Sequence, residues 1–574
     1  MNPILESYVE DFCDNFGFSD KDDSDIFERF INYCTVDRFC PTKFGVEEVT
    51  TKGGEIGIDG AAVIIGDYIV QSEEEAKEEL KNRTSNTNVN YIFSQSKTGN
   101  SFKVKEIRNF YMSVKDLISE NKKFEQDRWL EEIRSIHNVV VDNATKIEGG
   151  MPSCHLFYAA TGDWKNRKSD DLEAVVEEAQ KEIDSLNIFD PINFNPIGID
   201  QINDLWMSTI SPIKASIVCE DELNIPTMEG VNQAYIVITR ADHFVDEVLE
   251  DESEDKITPG IFDQNVRHFL GTDNEVNEKI EYTLDNEMKK NRFSILNNGI
   301  TIVSSKVERI TEKIIMEDFQ IVNGCQTSHI LFKNRDKLDE RVTVPIKVIE
   351  TEDTDIVDEV VKATNSQTAI DDSQMFAVKE YVKNVQQFFN AYGSQRDDSH
   401  RVYFERRSRE YADEDIARLR TFDIHQLAKV FAAMFLDQPH LSTAYAGRIY
   451  DKHEDDLFNS NQAEIGYYTS ALVYYKLMLI FNGGHLPSKF RKYKWQLLMV
   501  IKYKFGGKST PEITNKEWMG KYCGKIIDKF SDDTSELSKN VKEAIKVFNP
   551  MGNVPRSDLK TLGFTNRIKD EMVV

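Results

Sequence analysis

A chain of 574 residues is longer than one hydrophobic core serves, so two to four domains are expected. With 40% apolar and 10% aromatic residues it has the means to bury sizeable cores and is not a disordered chain. Its 70 basic and 99 acidic residues leave a net charge of -29, which argues against a general nucleic-acid coat, although screening over about 8 Å leaves room for a local basic groove.

The opening MNPILESYVEDFCDNF is acidic and amphipathic, without the basic start and apolar run of a signal peptide. No segment reaches the roughly 20 apolar residues of a membrane helix, so a cytoplasmic protein with no membrane partner is expected. Seven scattered cysteines without a CxxC pair fit a reduced compartment, and no HExxH or similar pair suggests structural zinc.

In SDIFERFINYC, Ile26, Phe27, Phe30 and Ile31 recur at helical spacing behind Ser24 as the expected cap. GEIGIDGAAVIIGDYIV reads as two strands meeting at Gly66 and Asp67. After the acidic SEEEAKEE run and a polar stretch comes the strand YIFSQSK, which places Gln95 and Lys97 on one face. SFKVKEIRNFYMSVKDLI then predicts a helix with Val104, Ile107, Phe110, Tyr111 and Val114 in one stripe.

Pairing these strands would gather Asp59, Gln95 and Lys97 in one pocket. The order of elements and residues resembles the core of the PD-(D/E)XK nucleases, in the Mrr-like variant where Gln replaces the second acid. The resemblance implies a Mg2+ or Mn2+ site. Asp59 would be its anionic ligand, and the Gln95 amide oxygen and the Ser96 carbonyl its neutral ones. Lys97 would orient the attacking water or offset phosphoryl charge. Glu28 on the preceding helix is the expected second carboxylate, with Glu55 as the fallback. The competing structural readings are a turn-forming Asp59, an edge-strand Lys97 that blocks aggregation, and a solvated Glu28.

CHLFYAATGDW, at 154–164, reads as an apolar strand that either closes this sheet or opens the next domain. The charged helical stretch from Lys168 to Leu186 leads into the Pro-containing FDPINFNPIGID, taken as a boundary. Beyond it lie GIFDQNVRHFLG, SILNNGITIV, FQIVNGCQTSHILF and KATNSQT, in which Asn, Gln, Thr and Gly recur at strand ends. Such uncharged donor–acceptor side chains suit a wired polar pocket.

The patterns FDxNVRxFLG at Phe262 to Gly271, NNGIT at Asn297 to Thr301 and IVNGxQT at Ile321 to Thr327 resemble those of the AIPR family, named for abortive infection and phage resistance. The resemblance extends over roughly residues 20–450. It implies a bacterial defence protein, in which Asn265 and Arg267 with Asn297, Asn298, Asn323, Gln326 and Thr327 would surround a ligand. Hairpin turns and strand-knitting amides explain the same residues equally well. Cys325 stands where a second Gly is expected, so a positive φ there would be strained. No adjoining His or acid marks Cys325 as a nucleophile.

The remaining chain is read as helical. TFDIHQLAKVFAAMFL places Ile424, Leu427, Phe431 and Phe435 on one stripe behind Thr421 as cap. Cations interleaved with aromatics in RVYFERRSR and SKFRKYKW suggest a nucleic-acid groove containing Arg406, Arg407, Arg491 and Lys494.

The expected fold class is thus a multidomain α/β protein. A restriction-endonuclease-like core spans 1–165, a linker 166–200, a mixed α/β AIPR domain 201–410, and a helical domain 411–574. The expected function is metal-dependent phosphodiester hydrolysis in anti-phage defence, on DNA in preference to RNA. The Asn/Gln-rich module would sense or regulate, with a phage-derived or nucleotide trigger and a homo-oligomer as further expectations. The alternative is a non-catalytic nucleic-acid- or nucleotide-binding regulator with a decayed nuclease core.

Overall fold

A computed structural model describes the chain apart from residues 1, 20–21, 52–56, 83–86, 120–127, 165–168, 212, 251–256, 259–260, 263–274, 366–371, 397, 407–409, 412–413, 444–446, 454–455, 531–533, 553 and 574. Glu55, Asn265, Arg267 and Arg407 therefore lie outside the described residues.

Helix α1 (Pro3–Phe16) starts where the Asn2 side chain accepts from the Ile4 N–H at 2.8 Å, and ends at Gly17 in the left-handed region. Helix α2 (Asp23–Asp37) buries the expected Ile26, Phe27, Phe30 and Ile31. Its cap is Asp22, whose Oδ1 accepts from the Ser24 N–H at 2.9 Å, rather than Ser24 itself. A short helix α3 (Val46–Val49) precedes strands β1 (Gly60–Ile65) and β2 (Tyr68–Ile69), which turn at Gly66 and Asp67 as the sequence indicates, with Ile65 opposite Tyr68. The acidic run folds as α4 (Glu73–Asn82), followed by β3 (Val89–Lys97), α5 (Val104–Ile118) and α6 (Arg128–Asp142). Strand β4 (Ser153–Ala160), helix α7 (Asp170–Asp184), strand β5 (Ile192–Ile197) and helix α8 (Ile199–Ile210) complete the first unit.

The five strands run in the order β2-β1-β3-β4-β5; β1 is antiparallel to β3, and β3, β4 and β5 are parallel. Alternation along each strand splits the sheet between two cores. Ala62, Ile64, Ile92, Phe157 and Ala159 face α1, α2 and α8, while Ala61, Val63, Tyr91, Phe93 and Tyr158 face α5, α6 and α7. Strand β4 therefore lies inside the sheet and neither closes it nor opens a new domain. The segment 166–200, expected as a linker, instead supplies α7 and the edge strand β5, so the first unit runs to Ile210 and not to 165. Its prolines mislead because an edge strand tolerates Pro where a central one does not.

The central unit is a six-stranded sheet in the order β6-β10-β9-β11-β8-β7, built from β6 (Lys214–Val218), β7 (Asp221–Asn224), β8 (Gln233–Arg240), β9 (Ile300–Ile310), β10 (Lys313–Asn323) and β11 (Thr343–Glu350). Helix α9 (Cys325–Lys333) packs on one face, and α10 (Thr354–Asn365), through Val357 and Val361, on the other.

The C-terminal unit is helical, as expected, around α11 (Ile424–Met434), α12 (Glu464–Asn482) and α13 (Lys494–Ile501). Leu427, Phe431 and Phe435 are buried, but the cap of α11 is Asp423, which accepts from the Gln426 N–H at 2.7 Å. Thr421 is taken up with Phe422 in a strand beside Tyr403 and Phe404. This core also holds Tyr381, Val385, Phe389, Val402 and Phe404, so packing does not break at residue 410. Among the described residues no helix is long and apolar enough to cross a membrane.

Candidate functional site

Asp59 stands immediately before β1, where Gly60 pairs with Ser94 across the antiparallel ladder. The Asp59 N–H donates to the Ser94 carbonyl at 2.9 Å, and its Oδ2 accepts from the Ser96 N–H at 2.8 Å. Helix α2 fixes this corner through Asn32, whose Nδ2 donates to the Asp59 carbonyl at 2.9 Å while its Oδ1 accepts from the Ser94 hydroxyl at 2.6 Å. Gly60 is required by the crowding: a Cβ there would sit 2.3 Å from Ser94 Oγ and 2.4 Å from Asn32 Oδ1.

On the other face of β3, Lys97 Nζ lies 3.9 Å from Asp59 Oδ2, so two of the sequence-predicted residues meet. Gln95 is 5% exposed, and its Oε1, sealed from solvent, accepts no hydrogen bond among the described residues. Its Nε2 passes so close to Gly57 (φ 75°) that a Cβ there would lie 2.8 Å away. A buried acceptor left unmatched needs a physical reason, and a donor or cation beside Asp59 would supply one. Glu28 faces the same corner from α2; burial and the Asp59 carboxylate push its carboxyl up to about 7. Burial also raises Asp59, against the pull of Lys97 and the Ser96 N–H.

Among the described residues no three His, Cys, Asp or Glu side chains converge to hold a metal ion. The corner offers two carboxylates and one amide oxygen, a donor set compatible with Mg2+, which keeps several waters.

Sequence reasoning missed four contributors. Asn32 is the positioning residue, and its one signal is a lone amide inside the buried run FINYC. Gly57 gives Gln95 room. Glu106 and Tyr158 are the others: the Tyr158 hydroxyl donates to Glu106 Oε2 at 2.9 Å, in register beside Gln95. Burial opposes ionisation of Glu106, yet Lys103, Tyr158 and Lys97 hold it below the usual carboxylate range.

Among the described residues, parts of the Asn-rich motifs lie together at one end of the central sheet. The Ile321 N–H donates to the Ile261 carbonyl at 2.7 Å, and the Phe262 ring stacks on His329 with centroids 5.1 Å apart. Asn323 Nδ2 donates to the Thr364 carbonyl at 2.9 Å, and Asn297 Nδ2 to the Phe293 carbonyl at 2.9 Å. These two amides knit backbone, as in the structural alternative. Asn298 is exposed, Gln326 half-buried, and Thr327 buried on α9. The positive φ of this turn belongs to Gly324 (96°), whereas Cys325 opens a helix and bears no such strain. Burial pushes the Cys325 thiol up to about 12, against a nucleophilic role.

The expected basic groove is not an open one. Lys494 Nζ lies 3.2 Å from Glu47 Oε1 and 2.8 Å from Glu48 Oε1, and Arg491 Nη1 lies 3.5 Å from Glu47 Oε2. These side chains dock the helical unit onto α3. The Arg406 N–H donates to Glu410 Oε2 at 2.7 Å, and the Arg406 side chain is half-buried.

No curated protein and no solved structure matches the chain. A family model described as AIPR protein matches residues 262–548, half of the chain, from within the central unit into the helical one. The Asp59 corner lies ahead of the matched span. On that match the chain belongs to the AIPR family.

Proposed function

We propose that the protein acts in bacterial abortive infection, the role its family suggests, and that its N-terminal unit is a divalent-metal-dependent nuclease similar to the PD-(D/E)XK enzymes. The observation that carries the nuclease reading is the unmatched, buried Gln95 Oε1 at the corner where Asp59 and Lys97 meet. Asp59, Gln95 and Glu28 would hold Mg2+ or Mn2+, with DNA favoured over RNA as substrate. The ion, when bound, would polarise a phosphoryl oxygen and acidify a water. Lys97 offsets negative charge next to Asp59 and can orient a water, while Asn32 holds the Asp59 backbone carbonyl and the Ser96 N–H holds its carboxylate. The converged AIPR motifs are the regulatory part of this reading.

Plasmid DNA and single-stranded RNA, each incubated with the protein with and without Mg2+ or Mn2+, test it. Cleavage that needs the metal and disappears in Asp59→Ala and Lys97→Ala, with thermal unfolding within a few degrees of wild type, is expected. The competing reading, a non-catalytic nucleic-acid-binding regulator, draws on the absence of a third converging metal ligand among the described residues. Metal-independent behaviour of wild type and both variants alike would favour it.

A further inference from the structure

A second group of polar atoms, outside the Asp59 corner, is left unmatched where α2 meets the helical unit. Arg29, half-buried on α2, has its guanidinium carbon 5.6 Å from the Phe18 ring centroid. Arg491, whose side chain is 15% exposed, has its own 5.5 Å from the Phe481 ring centroid. The two rings belong to one joint, because Asn482 Nδ2 donates to the Phe16 carbonyl at 2.6 Å.

Arg29 has neither a hydrogen bond nor an ion pair among the described residues, and its Nε is sealed from solvent without an acceptor. Arg491 Nη1 also lacks a hydrogen bond; its ion pair is the long one to Glu47, a carboxylate already held by Lys494. Glu48 is likewise held by Lys494. Lys494 thus takes up both carboxylates and Lys429 bears on Glu48 as well, which leaves Arg29 and Arg491 without a hydrogen-bonded carboxylate among the described residues. Asp25 and Glu28 flank Arg29 on its own helix without bonding it. Burial lowers Arg29 and the Arg491 guanidinium lowers it further, more than Glu47, Asp25 and Glu28 nearby make good.

Buried guanidiniums are normally fully hydrogen-bonded, because an unpaired charge away from water is costly. Planar forks with free N–H groups match the oxygens of a phosphate. We propose that Arg29 and Arg491 form a binding site for a phosphate-type oxyanion at the joint between the N-terminal and helical units. The anion supplies the missing negative charge and ties α2 to the turn Ser488–Tyr493. Its source is a phosphomonoester, or inorganic phosphate itself, or a diester of a nucleic-acid backbone. The site does not depend on metal chemistry at Asp59, so its readout is binding and not cleavage.

Inorganic phosphate titrated calorimetrically into the full chain at fixed ionic strength tests the proposal. Saturable binding is expected, weakened at least tenfold by Arg29→Gln and by Arg491→Gln but not by Arg108→Gln, which changes an exposed pair with Glu178. Thermal unfolding supplies the second measurement. Arg29→Gln should leave the phosphate-free melting temperature unchanged and abolish its rise with phosphate. Competition by AMP alone would identify a phosphomonoester. Competition by a DNA dodecamer without terminal phosphates would identify the backbone diester. Absence of saturable phosphate binding, equal affinity in wild type and both Arg variants, or a phosphate-free melting temperature lowered by Arg29→Gln would overturn the proposal.

Discussion

Lys494→Met keeps the side chain's length and removes the one charge that Glu47 and Glu48 share. At an effective dielectric of about 20, contacts of 2.8 and 3.2 Å contribute about 5 to 6 kcal/mol each before desolvation. Taking three ionised groups out of water offsets most of this, so the net worth of the cluster is small. Removing one partner is different, because Glu48 then loses its ion pair and Glu47 keeps only the 3.5 Å one to Arg491 in a half-buried joint, at a cost of about 3 kcal/mol, the low end for a broken buried pair. Burial opposes ionisation of Glu47, and Lys494 with Arg491 overcomes it and holds Glu47 low, so without Lys494 the carboxylate either protonates or draws water into the joint. Urea unfolding followed by circular dichroism and tryptophan fluorescence should show this loss. Lys494→Met combined with Glu47→Gln and Glu48→Gln should recover most of it, since no uncompensated charge remains. A loss under about 1 kcal/mol, the value of exposed pairs, would refute the reasoning. So would a stable variant that has lost only nucleic-acid affinity, which would restore Lys494 to an open groove.

Gly60→Ala drives a methyl into the Asn32–Ser94 hydrogen bond; a cost of about 1–3 kcal/mol is expected, and calorimetry should show metal affinity falling with it. In the AIPR turn, Gly324→Ala must place a Cβ 2.8 Å from Ile300 Cγ1 at φ 96°, so its melting temperature should drop well below that of Cys325→Ala, whose backbone is helical. Burial, with Arg134 nearby, depresses His137 from 6.5 to about 4. Its unfolded imidazole therefore takes a proton that the folded one refuses, and stability is full above pH 6.5 and falls towards pH 4, by about 3 kcal/mol at the limit. Urea midpoints at pH 7.5 and 5.0 should show the slope, and His137→Gln should flatten it.

The parts of the fold that were legible are those set by near neighbours in the chain. The α2 and α5 stripes, the turn at Gly66 and Asp67, and the alternation that puts Gln95 beside Lys97 all follow from periods of 3.6 and 2 and from two-residue turn chemistry. The caps at Asp22 and Asp423 each lie two positions from the expected one, because several Asp, Ser and Thr residues compete at each helix start and only the backbone angle selects one. Strand β5 was missed because its prolines read as a break, and only its place at the sheet edge makes them harmless.

Charge was the least legible property, for a physical reason. A run such as SKFRKYKW looks the same whether its cations face water, a phosphate or a carboxylate, and the carboxylate that answers Lys494 lies 447 positions away. The same blindness hid Arg29, which sequence spacing cannot separate from any other helix cation. What marks it is an absence of hydrogen-bond partners among the described residues of a crowded joint, a property of the assembled units alone. Gln95 shows the converse: its neighbours in the strand announced a polar pair with Lys97, and the structure added that its oxygen is buried with nothing to accept. In both places the informative quantity is an unmatched polar atom and not a residue type. That is why the Asp59 corner and the Arg29–Arg491 joint, of opposite charge, are inferred to await ligands of opposite sign: a divalent cation at one and a phosphate oxyanion at the other.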